Sequence, residues 1–220
     1  DLVTLLALPV LAWAVVNMQR GSSRAALLWV GLLGYIFYTY TGAAFAYHLN
    51  VLFLVYVALF SLGLFALAAA AAGLDSAAIH RSFDTTAPRR GVAIFMLVFA
   101  ALLTVLWVGQ LIPFFTTGTL PTLVVLADTP TNFVYVLDLG LVVPLALLAA
   151  WWLWKDHAWG PVVAGYVLVK CVAMALALIS MTIFVALAGQ PFEWGLAAFW
   201  VLLAVSSIGM TFWYLRHCRN

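Results

Sequence analysis

The sequence predicts an all-α integral membrane protein, a bundle of about seven transmembrane helices with its N-terminus outside and its C-terminus cytoplasmic, read as one polytopic domain over 1–220. Three observations carry that prediction. Of 220 residues, 67% are hydrophobic and 7% charged, with a mean hydropathy of +1.17; soluble domains carry about 25% charged residues. The apolar residues fall into runs near the roughly 20 residues a helix needs to cross a hydrocarbon core about 30 Å thick. The Lys and Arg residues outside those runs all fall on one side of the alternation that the runs create.

In order, the spans are about 2–18, 25–46, 50–73, 91–112, 132–154, 160–188 and 195–215. The first has neither a methionine nor a basic leader region before Asp1, which leaves a removed leader or a further N-terminal segment open. QRGSSR at 19–24 ends it. Residues 25–73 are almost continuously apolar and too long for one crossing, so the polar pair His48 and Asn50 in YHLN is where spans two and three turn. LDSAAIHRSFDTTAPRRG (74–91) separates spans three and four, and KDHAWG (155–160) and GQPFEWG (189–195) make the last two breaks. Segment 113–131, PFFTTGTLPTLVVLADTPT, holds an apolar LVVLA too short to cross. It is predicted to be an outer loop with an interfacial or re-entrant piece, either a lid or a plain surface loop.

With this count Arg20, Arg24, Arg81, Arg89, Arg90, Lys155, Arg216 and Arg219 share one side, which the positive-inside rule assigns to the cytoplasm of a cell or inner membrane. Trp151, Trp152, Trp154 and Trp159 cluster at an inner boundary, and Phe192 and Trp194 mark an outer one, as aromatic belts do. The first partner is therefore a lipid bilayer. A net charge of +2, dispersed and without basic runs, excludes a nucleic-acid footprint. Cys171 and Cys218 have neither metal-site nor disulfide-framework spacing. His80, His157 and His217 lie on the inner side and cannot pair with His48 across the bilayer as haem ligands. No phosphate loop or nucleophile elbow occurs, and the sequence names no cofactor. His48, Asp128 and Glu193 share the outer side, but without HxxxH or HExxH spacing no metal site is predicted.

Two charges fall well inside spans, Asp138 in span five and Lys170 in span six. Each costs roughly 2.5–3.5 kcal/mol at a helix centre on insertion scales, so both are expected to face protein or a wet cavity. At 1.5 Å per residue Asp138 lies roughly 9 Å below the outer end of its helix and Lys170 roughly 15 Å above the inner end of the next. The helices are consecutive and antiparallel, so a flexible lysine stem can close the gap, and Lys170 is the expected partner of Asp138. Tyr135 precedes Asp138 by three residues, and Tyr166 and Met174 share a stripe with Lys170, giving a polar and aromatic seam. Pro144 removes the hydrogen bond that the Gly140 carbonyl would accept and is expected to bend the helix as a hinge near Asp138. His48 and Asn50, with Thr131 and Asn132, could rim an outward-opening pocket above it, although Asn50 also suits a turn. Tyr35, Tyr38, Tyr40, Phe45 and Tyr56 make the outer half of spans two and three aromatic, either as a cation cage or as an interfacial belt. Gly31 and Gly34 suit close helix packing.

The predicted function is binding or translocation of a small solute or ion through that pocket, with Asp138, Lys170, Tyr135, Tyr166, His48 and Asn50 as its ligand-binding residues. The alternatives are an intramembrane enzyme acting on a lipid or quinone-like substrate, and a structural subunit or sensor in which Asp138 and Lys170 pin two helices; an oligomer fits either. Seven spans with an outside N-terminus resemble the rhodopsin-like layout, in which a lysine holds retinal. That lysine sits in the seventh span there, whereas Lys170 falls in the sixth here, so the resemblance is one of topology alone.

Overall fold

The computed structural model describes residues 2–187, 189 and 194–219; Phe192 and Glu193 lie outside them. Its elements are α1 (Leu2–Gln19), α2 (Ser23–Ala46), α3 (Phe53–Gly73), α4 (Ser76–Arg81), α5 (Arg89–Thr117), α6 (Thr122–Ala127), α7 (Phe133–Leu137), a π-helical turn (Asp138–Val142), α8 (Val143–Trp154), α9 (Gly160–Leu187) and α10 (Trp194–Leu215). Seven helices among the described residues are long and apolar enough to cross a membrane: α1, α2, α3, α5, the continuous Phe133–Trp154, α9 and α10. The protein is an integral, multi-pass, all-α membrane protein.

Helices are the only open-ended solution in hydrocarbon, because each backbone group must find its partner within the segment. The turns show how the sequence ends them. Ser22 caps α2 by accepting from the Ala25 N–H at 3.3 Å, and Asp75 caps α4 by accepting from the Ala78 N–H at 2.9 Å. α5 runs past the predicted end at 112 and through Pro113, then closes at Gly118, whose φ of 75° suits a residue without Cβ. The Thr116 and Thr117 hydroxyls cover that last turn, donating to the Ile112 and Pro113 carbonyls at 3.0 and 2.8 Å. The predicted interfacial piece forms the short helix α6, and a second short helix, α4, lies within the predicted loop 74–91.

α2 and α9 form the centre. Of the apolar windows that define the spans, 61% of α2 and 56% of α9 are buried, against 17% of α1 and 11% of α3, which sit at the periphery. Glycine sets the closeness of the central pair. A Cβ on Gly31 would overlap Val169, one on Gly34 the Tyr166 ring, and one on Gly165 the Leu27 side chain. Small residues at helix contacts replace the hydrophobic driving force that lipid cannot provide.

The basic ends come together at one end of the bundle. Arg24 at the start of α2 donates to the carbonyls of Cys218 and Arg216 beyond α10. Arg219 pairs with Asp84 at 2.7 Å, and the Phe83–Cys218 bridge ties loop 82–88 to the C-terminal residues. Arg89 and His80 both reach Asp156, beside Lys155. Helices two, five and ten thus begin or end on the same side, as the alternation of seven spans requires.

Candidate functional site

Asn132, Tyr135 and Asp138 recur every three residues, so they form one stripe of α7 and its continuation. Asn132 caps the helix, its Oδ1 accepting from the Val134 N–H at 2.9 Å, while its amide donates to the Leu123 carbonyl at 3.4 Å. One turn deeper, Tyr135 donates from its hydroxyl to Gln110 Oε1 on α5 at 2.9 Å. At the third level is Asp138, 6% exposed.

Donors from two other helices take one oxygen each of this carboxylate. The Tyr38 hydroxyl of α2 donates to Oδ1 at 2.8 Å, and the Trp107 indole N–H of α5 donates to Oδ2 at 2.8 Å. Lys170 of α9, 4% exposed, places Nζ 3.8 Å from the same Oδ1 and 3.8 Å from the centroid of the Tyr38 ring. The expected Asp138–Lys170 pair is present. Its separation exceeds the roughly 2.7–2.9 Å of a charge-assisted N–H···O bond, so attraction through space and the face of Tyr38 hold the ammonium. A carboxylate, an ammonium and two neutral donors sum to zero charge in a region that water barely reaches. That balance is what makes two buried charges tolerable.

The backbone is irregular at the same place. The segment expected to bend near Asp138 widens into the π turn Asp138–Val142, with the Val143 N–H returning to the Asp138 carbonyl five residues back. Pro144 follows in the first turn of α8, where a missing N–H is easily absorbed. π turns inside α-helices occur frequently at functional sites.

The other sequence-predicted residues divide. Tyr135 lies next to the centre, its ring edge-on to Trp107 at 5.4 Å, and its hydroxyl is spent on Gln110. Tyr166 packs its ring into the space left by Gly34. Asn50 closes its own turn, donating to the His48 carbonyl at 3.0 Å and accepting from the Leu52 N–H at 2.9 Å. His48 lines a cavity of about 480 Å³ at the end of the bundle opposite the basic one, together with Phe45, Tyr47, Asp128, Thr131 and Phe133. Asp138 is not among that cavity's lining residues. The Phe133 ring occupies the space beside Gly42 and meets Tyr38 edge-on at 6.4 Å, so one ring lines the cavity and packs on the tyrosine that holds Asp138.

Reading by charge alone misses Tyr38, Trp107, Gln110 and Phe133 as companions of Asp138. Depth was the available signal. Counting 1.5 Å per residue from the outer ends of the predicted spans puts Trp107 about 8 Å and Tyr38 about 12 Å deep, bracketing the roughly 9 Å of Asp138. A tryptophan or tyrosine at that depth needs a polar partner for its N–H or O–H.

Comparison with known protein families, with curated proteins and with solved structures finds no match to this chain.

Proposed function

We propose that this protein binds and translocates a small cation, with Asp138 as the cation site and Lys170 as a resident counter-cation that the substrate must displace. One observation carries the reading: a carboxylate held by a phenol and an indole from two helices, with a tethered ammonium at 3.8 Å, at the point where its own helix leaves α geometry. Intramembrane carboxylates are costly, and they mark ion and substrate pathways.

The mechanism follows from Coulomb repulsion. Two unit positive charges about 4 Å apart repel by about 4 kcal/mol at an effective dielectric constant near 20, which is roughly a thousandfold in affinity at about 1.4 kcal/mol per decade. An arriving cation and the Lys170 ammonium therefore exclude each other at Asp138. The ammonium withdraws along its flexible stem, and loading of the site becomes coupled to the position of α9 against the π turn. By the positive-inside rule the cavity beside His48 opens outward, and the substrate approaches from there past Phe133.

A second reading has its own observation in its favour, the low exposure of both charges, 6% and 4%: the pair is a pin that fixes the arrangement of four helices and binds nothing. One experiment separates the two. Wild type, Asp138→Asn, Lys170→Met and the double variant are purified, reconstituted in liposomes and assayed for flux of protons, sodium, potassium and methylammonium, alongside thermal stability in detergent. Wild-type flux of one of these cations, lost in folded Asp138→Asn, supports translocation. No flux in wild type, with both single variants destabilised and the double variant recovering, sinks it and leaves the pin.

A further inference from the structure

We infer that the cavity of about 480 Å³ at the end opposite the basic loops is a vestibule for an organic ammonium ion, in which Asp128 supplies the counter-charge and Phe45, Tyr47 and Phe133 the aromatic walls. The inference rests on the cation-translocation reading for where the ligand goes next, but not for its first contact.

Charge selects the sign. Across segments 47–52 and 118–132 Asp128 is the one charged residue, and no Lys or Arg occurs in either. His48 is the other titratable group lining the cavity beside Asp128 and Tyr47. With the basic residues of the other loops gathered at the opposite end, the field at this mouth attracts cations.

Wall chemistry selects the class. A hydrated metal ion prefers oxygen ligands, and among the described residues no group of three or more His, Cys, Asp or Glu could hold one. Aromatic walls around a single carboxylate instead suit a cation that carries its own apolar surface, since ring faces attract ammonium groups and ring bodies cover hydrocarbon. The protein already displays that recognition one step further in. Lys170 offers Asp138 a primary ammonium on an alkyl stem, resting 3.8 Å from the Tyr38 ring centroid. Phe133 touches both places, lining the vestibule and meeting Tyr38 at 6.4 Å. The two stations, Asp128 with Phe133 and Asp138 with Tyr38, thus present the same pair of groups.

The test uses the full chain in detergent with phenethylammonium as probe and 2-phenylethanol as its neutral counterpart, binding being read by titration calorimetry. Asp128→Asn is the informative variant. Asp128 is exposed and sits at φ 49°, a left-handed conformation that asparagine also tolerates, so the backbone there is kept. Phenethylammonium is expected to bind wild type and to bind Asp128→Asn about tenfold more weakly, a loss of about 1.4 kcal/mol. Failure of wild type to bind, equal binding of 2-phenylethanol, or an unaffected Asp128→Asn each overturns the vestibule. Binding that depends on Asp128, in a protein without cation flux, keeps the vestibule and removes the reading on which its destination rests.

Discussion

Trp107 carries no charge, yet half of the Asp138 carboxylate depends on it. Its indole N–H is the donor to Oδ2, at 2.8 Å. Replacing it with phenylalanine keeps an aromatic body in the same buried position and removes the N–H. A buried acceptor left without its partner costs about 1–3 kcal/mol, and more when it is charged. Trp107→Phe is therefore expected to lower unfolding stability in detergent by at least the lower end of that range. In an Asp138→Asn background the loss should shrink, because the acceptor is then neutral. An additive double variant would mean that Trp107 contributes by packing alone. Tyr38 differs in kind, since its hydroxyl serves Oδ1 while its ring face holds the Lys170 ammonium. One side chain therefore couples both members of the pair, which neither charge reveals in the sequence.

At the scale of the element, the spans and most of their breaks were legible because lipid imposes a ruler: about 20 apolar residues, then polar residues that cannot stay. Serine, asparagine and glycine at the turns fall where orphaned backbone groups need them. The π turn was not legible, since a shift of hydrogen-bond partner by one residue leaves composition and periodicity almost untouched. Pro144 is its visible trace. In a regular helix interior a proline costs about 3 kcal/mol through its missing N–H and its clash with the preceding turn. Here it follows Val142 and Val143 at the start of α8, where the π turn has already displaced the regular partner. Pro144→Ala is therefore expected to change stability by less than about 1 kcal/mol, against the gain of about 3 kcal/mol that relief of an interior proline gives. Equilibrium unfolding in detergent decides between these values. A gain near the larger figure would mean that the proline strains the helix and that the wide turn is its consequence.

For the whole molecule, the basic residues were legible as a set, and what they do at their shared end was not. Sequence places Arg24, Arg89 and Arg219 on one side; only the fold shows each engaged with a different segment, at the Cys218 carbonyl, Asp156 and Asp84 respectively. His80 takes part in this latch, 2.9 Å from Asp156 through Nε2. Asp156 alone would favour a charged imidazole, but Arg89 shares that carboxylate. Partial burial, with Arg89 and then Arg81 nearby, holds His80 below the ordinary histidine range. The direction of the pH effect follows from linkage. A base whose folded-state pKa is depressed contributes stability that is complete above its unfolded value of about 6.5, and loses it as pH falls through the folded value. The latch is thus expected to weaken as pH drops below about 6.5, with protonated His80 facing two arginines. His80→Gln, neutral at every pH, isolates the His80 part. Thermal unfolding between pH 5 and 8 should show a shallower acid loss in His80→Gln than in wild type. Equal slopes would remove His80 from the acid loss and leave the latch held by its arginines alone.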